Sequence, residues 1–358
     1  LSDNETQQLL TTKVGFHVVQ PNLHQLDVIS DLNIMQQQAY QWAKDLGLGV
    51  AVYRLYHTPK RWIQQCQRDG LLSLAQLRWM QWQMERAATQ LQPLSPRSGE
   101  YLDVYFLSGR RFWYQTCFCF YSLLQHTSLN LRPVIFDDGS FTPRYIRLIQ
   151  RVFPHTKIVS ANDIMEQLDR HLPAERFPYL RSRRLSYPNL RKLTDIHIGS
   201  QGWKLVLDSD MLFFQPPTLL LDWLRSPQTP CHMVDVDTAY GYSDALMRKL
   251  AGVAIPSRVN VGICGLQSES LDWDELEFWC RTLIEREGTH YYQEQAMTAM
   301  LMARYPCIVA PATEYQVMPS QTEVMQPNAI LHHYVADSKA GYFRYGWRHV
   351  TRQAVQTP

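Results

Sequence analysis

The sequence predicts an α/β fold, a parallel sheet flanked by helices and preceded by an N-terminal helical region. Three observations predict it. From residue 102 onward, short apolar runs of strand length alternate with longer helical ones. Acidic turns close two of these runs, at Asp137-Asp138-Gly139-Ser140 and at Asp208-Ser209-Asp210. Upstream of the alternating part the pattern is helical throughout, with apolar residues three and four apart among glutamines and arginines.

Each element follows in chain order. Leu32–Leu46 and Leu71–Leu91 carry the helical spacing. The stretch LQPLSPRSGEY (Leu91–Tyr101) supplies Pro, Ser and Gly and marks a boundary, giving an N-terminal helical region over 1–98 and a second domain over 99–358. Leu102–Leu107 reads as a strand, Ser108–Arg111 as a turn and Phe112–Gln125 as a helix. Leu131–Phe136 is the next strand, and Tyr145–Phe153 the next helix. Lys157–Ser160 is a third strand, followed by a helix near Asp163–Leu172. Lys204–Leu207 has the pattern of a buried strand, which puts Asp208 at its carboxyl end. In parallel sheets ligands bind outside the carboxyl ends of strands. No internal repeat and no low-complexity segment interrupts this order.

Composition narrows the function classes. The chain has 358 residues, 45% hydrophobic, with a net charge of +2 and only 19% charged residues, which argues against a nucleic-acid partner. The 10 Trp, 19 Tyr and 13 Phe fill cores and also make walls for sugars and bases. Seven cysteines, Cys66, Cys117, Cys119, Cys231, Cys264, Cys280 and Cys307, form no C-x-x-C pair, so reduced thiols fit better than a zinc ribbon or a disulfide scaffold. Cys117 and Cys119 read as core thiols. Phe112–Leu124 is too short to span a bilayer, and no transmembrane segment is expected. No signal-peptide pattern opens the chain. The expected location is cytoplasmic, with a membrane-peripheral one as the alternative.

Several stretches carry candidate chemistry. In an extended segment Asp208 and Asp210 share a face and can converge on one cation, for which hard oxygen ligands favour Mn²⁺ or Mg²⁺. The competing reading is a capped turn with solvated acids. A second triplet, Asp235-Val-Asp237, shows how readily the pattern arises, and it is not assigned to the metal. Asp137 can accept hydrogen bonds from a base or a ribose, or simply close a turn. Arg191 can reach a diphosphate or lie on a solvated basic face with Arg181, Arg183, Arg184 and Lys192. Gly262, in Asn260-Val261-Gly262, can admit a substrate to the backbone or mark a bulge. Glu294 and Gln295 can face a substrate or decorate a helix start. His333 can ligate a metal or sit satisfied in a core, and Lys339 can hold phosphate as a point charge.

In this order the motifs resemble the nucleotide-sugar glycosyltransferases of the GT-A fold, most of all the glycogenin and lipopolysaccharide galactosyltransferase group. The resemblance covers Tyr101–Arg348, about two-thirds of the chain. It implies a Rossmann-like, mixed and mostly parallel sheet. It implies a metal held by Asp208, Asp210 and His333, with Lys339 on the diphosphate and Arg191 on the donor. Asn260 and Gly262 match the sugar-site segment, and Glu294 with Gln295 the pair beside the transferred sugar. Asp208, Asp210, Glu294 and Gln295 are thus the implied catalytic set, and Asp137 a uracil-side carboxylate. The chain departs from the family at Ala336 for Gly, Ala340 for Pro, Gly341 for Trp and Glu294 for Asp.

The implied activity is a hexosyltransferase-like transfer from a nucleotide-sugar donor, UDP-linked, to a glycan, lipid-linked or small-molecule acceptor. Retention needs no strong base, whereas inversion needs a carboxylate such as Glu294, Asp235 or Asp237. The alternatives are a sugar-phosphate nucleotidyltransferase, with Ser108–Arg111 as its phosphate loop, and a catalytically degenerate binding module.

Overall fold

The computed structural model describes residues 71–356 apart from Pro96. These residues fall in two units that divide between Ala75 and Gln76, and every strand belongs to the second. The helix expected over Leu32–Leu46, and Cys66, lie outside the described residues.

The expected alternation is present. Strands β1 (Leu102–Ser108), β2 (Leu131–Asp137) and β3 (Lys157–Val159) alternate with helices α1 (Leu71–Ala88), α2 (Trp113–Gln125), α3 (Pro143–Val152) and α4 (Ala161–His171). Local chemistry sets the helix starts. Pro143 occupies the first turn of α3, where its missing N–H costs nothing. Ser160 and Asp163 form a reciprocal capping box on α4. After α4 come α5 (Pro178–Ser186), α6 (Arg191–His197), β4 (Trp203–Leu207), β5 (Met211–Phe213), α7 (Thr218–Arg225), β6 (Cys231–Val234), α8 (Asp244–Ala251) and β7 (Val259–Gln267). Helices α9 (Trp273–Glu287) and α10 (Gln293–Met302), strands β8 (Ile308–Ala310) and β9 (Tyr315–Val317), helix α11 (Gln321–Met325), strand β10 (Leu331–His333) and helix α12 (Trp347–Gln356) complete the order.

The main sheet runs β3-β2-β1-β4-β7-β6-β8. All its neighbours pair in parallel except around β7, which is antiparallel to both β4 and β6. The sheet is therefore mixed and mostly parallel. Successive strand residues point to opposite faces, so Leu205 and Leu207 enter one core while Val206 enters the other. The first core joins β1 residues Val104 and Phe106 to Phe118 and Phe120 of α2 and to Met84 and Ala88 of α1. The second packs β7 against α4, α6, α9 and α10. Each fully buried aromatic or aliphatic side chain contributes about 1.5–3 kcal/mol. Cys117 and Cys119 are buried in α2 as free thiols, as expected.

A second, three-stranded sheet was not foreseen. Its order is β5-β10-β9, with β10 antiparallel to β5 and parallel to β9. Its register sets His333 opposite Met211, beside Asp210. Among the described residues no helix is long and apolar enough to cross a membrane.

Candidate functional site

Four strand ends meet at one edge of the main sheet. Asp137 ends β2, Asp208 follows β4, Asp235 follows β6, and Asn260 enters β7 from the same side because that strand runs backwards. The chain turns from β1 to β2 on one side, and β4 lies on the other. This is a switch point of the kind where α/β sheets bind ligands.

Asp208 and Asp210 do not share the extended face that their spacing predicts. Ser209 and Asp210 form a turn between β4 and β5, and the turn makes the two carboxylates converge. A chain of hydroxyls fixes it from below: Ser108 Oγ lies 2.7 Å from Thr116 Oγ1, which lies 2.8 Å from Ser209 Oγ. The backbone ties both acids to distant strands. Asp208 N–H donates to the Gly262 carbonyl, and the Asp210 carbonyl accepts from Tyr334 N–H. That second bond brings His333 over the acids. Its Nε2 lies 3.3 Å from Asp210 Oδ1 and 3.6 Å from Asp208 Oδ2. Ligand atoms of the three residues lie within 4.8 Å of one another.

The donor chemistry fits a divalent cation. Asn260 Oδ1 accepts from Gly262 N–H at 2.9 Å and lies 3.2 Å from His333 Nδ1. An amide oxygen there calls for a proton on Nδ1, which leaves a lone pair on Nε2. That Nε2 is buried with no hydrogen-bond partner and faces two carboxylates. A lone pair and two acids repel unless a cation stands between them. A ligating histidine typically donates its other N–H to a carbonyl or carboxylate in this way.

Two lysines flank the cluster. Lys339 Nζ lies 3.1 Å from Asp210 Oδ2. Lys192 Nζ lies 3.0 Å from Asp208 Oδ1 and 3.6 Å from Glu294 Oε2. Burial alone lowers an ammonium's pKa, yet Asp208 and Glu294 overcome it and raise that of Lys192. Burial pushes the Glu294 carboxyl up to about 7, with Lys192 opposing and Asp208 adding to the rise.

The remaining expected residues are placed as follows. Asp137 Oδ1 accepts the N–H groups of Gly139, Ser140 and Phe141, so this carboxylate closes its own turn. Arg191 donates to the Asp138 carbonyl at 2.9 Å, fastening α6 to that turn. Gln295 Nε2 donates to Asp235 Oδ2 at 3.0 Å. Gly262 leaves room for a protein group rather than an open approach: a Cβ there would lie 2.5 Å from the His333 ring. Ala336 has φ of 46°, a left-handed backbone that glycine adopts more easily. In the Ser108–Arg111 turn, Arg110 N–H donates to Ser140 Oγ, so this turn packs on the Asp137–Ser140 turn.

Sequence reasoning missed Lys192, and it named Asp235 only as a candidate base for inversion. Lys192 hides in a basic run whose other members find unrelated partners: Arg181 pairs with Asp169, Arg183 bonds Gln293, and Arg184 forms a buried bidentate pair with Asp195. Its place two residues into a short helix packed against the sheet is a signal only once the sheet order is known. Asp235 was set aside with its triplet, although its oxygens bond two of the expected site residues, Asn260 and Gln295.

No protein-family model matches the chain, and neither does any curated protein. Similar solved structures include galactosyltransferase LgtC in complex with donor and acceptor sugar analogs, at 15% identity and TM-score 0.45, covering 71% of this chain and 95% of that one. Mouse xyloside xylosyltransferase 1 in its apo form is similar at 11% identity and TM-score 0.44, covering 67% and 99%. The glycosyltransferase GlyE of Streptococcus pneumoniae TIGR4 is similar at 10% identity and TM-score 0.41, covering 72% and 64%.

Proposed function

We propose that the protein is a metal-dependent glycosyltransferase, hexosyltransferase-like, that moves a sugar from a UDP-linked donor to an acceptor hydroxyl. The observation that carries this reading is the buried Nε2 of His333, which faces Asp208 and Asp210 without a hydrogen-bond donor. Asp208, Asp210 and His333 are the residues that would hold Mn²⁺ or Mg²⁺. When bound, such an ion supplies Lewis-acid stabilisation of the charge that develops on a leaving diphosphate.

The chain's own groups do the rest. Lys339, half-exposed beside Asp210, provides positive charge that can pass to a phosphate oxygen. Lys192 pairs with Asp208 from the buried side. Asp137 has Oδ1 committed to three backbone donors, while Oδ2 takes none of them and suits a ribose or uracil contact. Arg191, anchored on the Asp138 carbonyl, supports the same end of the donor. Asn260 and Gly262 hold His333, and Glu294 with Gln295 lines the sugar side.

Retention is the course that calls on no carboxylate base. Asp235 has both oxygens in hydrogen bonds, to Asn260, Gln295 and the Val236 N–H, which weakens it as a base. Glu294 is buried against Lys192. In retention the leaving diphosphate can itself take the incoming hydroxyl's proton.

The test is hydrolysis of a panel of nucleotide sugars with and without Mn²⁺. Release of UDP only with metal, lost in Asp210→Ala, is the expected result. Undiminished metal-dependent activity in Asp210→Ala would sink the assignment. Formation of UTP and sugar 1-phosphate when pyrophosphate is added, with no release of UDP, would move the reading to a nucleotidyltransferase.

A further inference from the structure

Asp235 lies outside the metal cluster, yet its hydrogen bonds lead to it. Its Oδ2 accepts from Asn260 Nδ2 at 2.9 Å and from Gln295 Nε2 at 3.0 Å, and its Oδ1 accepts from Val236 N–H at 2.8 Å. Its own N–H is bonded to the Arg258 carbonyl, which fixes the carboxylate's origin. An ionised carboxylate only accepts, so the Asn260 amide must turn its NH₂ toward Asp235. Its oxygen then points the other way, where it takes the Gly262 N–H and faces His333 Nδ1. The reversed amide would set NH₂ against Gly262 N–H and an oxygen against a carboxylate.

We propose that Asp235 is a positioning residue that acts through Asn260 to lock His333 in the Nδ1–H tautomer, holding the Nε2 lone pair toward Asp208 and Asp210. The inference rests on the metal-site reading above and adds a residue that sets the state of a ligand without touching the cation. Gln295 shares the same carboxylate oxygen, so the residue beside the sugar and the metal ligand are set by one group.

The test reads the tautomer directly. Full-length protein with ¹⁵N-labelled histidine, metal-free at pH 9, is examined by long-range ¹H–¹⁵N correlation, with the His333 signals assigned by their loss in His333→Gln. The expected wild-type pattern has a proton on Nδ1 and none on Nε2. Asp235→Leu removes both acceptor oxygens, frees the Asn260 amide to turn and should move the proton to Nε2, with Mn²⁺ affinity falling on the order of 10- to 100-fold. The exchange variant Asp235→Asn/Asn260→Asp restores a donor facing an acceptor. It should return both the tautomer and the affinity toward wild type, a rescue that a merely structural residue would not give.

A wild-type spectrum with a proton on Nε2 overturns the inference without any variant, so it stays testable if Asp235→Leu fails to fold. An unchanged tautomer in a folded Asp235→Leu overturns it as well, as does a folded exchange variant that is not rescued. Absence of nucleotide-sugar turnover with the expected spectra would instead count against the proposed activity alone.

Discussion

Replacing Gly262 with alanine puts a methyl group where the His333 ring already lies. The new Cβ would stand 2.5 Å from ring atoms Cε1 and Nδ1 and 2.9 Å from Asn260 Oδ1. Ordinary carbon contacts lie near 3.5 Å, so the ring must move by about 1 Å. Gly262 does not have a positive φ, so the cost is this contact and not backbone strain. Metal–ligand distances tolerate about 0.2 Å, and a ring displaced that far no longer serves as a ligand. Overpacking adds about 1–3 kcal/mol of instability. Calorimetric titration with Mn²⁺ should show Gly262→Ala weakened at least about tenfold, close to His333→Ala. In the double variant the methyl meets no ring, so Gly262→Ala should add little to His333→Ala. Wild-type Mn²⁺ affinity in Gly262→Ala refutes the reasoning. So does an effect of the same size with the ring already removed.

Other outcomes follow from the charges. Lys339 neutralises Asp210 but would also hold phosphate, so Lys339→Ala should raise Mn²⁺ affinity while lowering UDP affinity in the presence of Mn²⁺; calorimetry of each ligand reads both signs. Glu294 has a folded pKa of about 7, above its ordinary value of 4.5, so the stability it contributes is full below pH 4.5 and is lost as pH rises through 7. The loss amounts to about 3 kcal/mol, and urea unfolding of Glu294→Gln across that window should lack it. An unaltered pH slope in the variant would remove Glu294 as the cause. Arg184 and Asp195 form a buried bidentate pair at 2.6 and 2.7 Å. Arg184→Met should cost about 3–5 kcal/mol in urea unfolding, and Arg184→Met/Asp195→Leu should recover most of it.

The strands and helices between Leu102 and Leu172 were legible because their information is local. Apolar runs of strand length, Pro143 at a helix start and the Ser160–Asp163 box act within a few residues. Strand ends were legible for the same reason, and Asp208 and Asp210 were found through them. The reversed β7 and the sheet β5-β10-β9 were not, since pairing between distant strands leaves no periodicity within either one. His333 was identified by resemblance; what puts it over Asp210 is the pairing of β10 with β5. Lys192 escaped, and Asp235 was named only as a candidate base, because their significance lies in partners. An ammonium between Asp208 and Glu294, and a carboxylate between Asn260 and Gln295, look in sequence like members of a basic run and a chance triplet.

The small sheet also bears on how the protein comes into being. Strand β5 emerges with both aspartates at hand, but its partner β10 brings His333 only 123 residues after Asp210 (from 210 to 333). At translation rates of about 5–20 residues per second that interval is roughly 6–25 s. Through it the nascent chain already carries Lys192 to hold Asp208, but neither His333 nor Lys339 to complete the cluster. A cation held by all three residues could be captured only once β10 has emerged. A chain cut between β9 and β10 would keep every strand of the larger sheet and still lack a ligand.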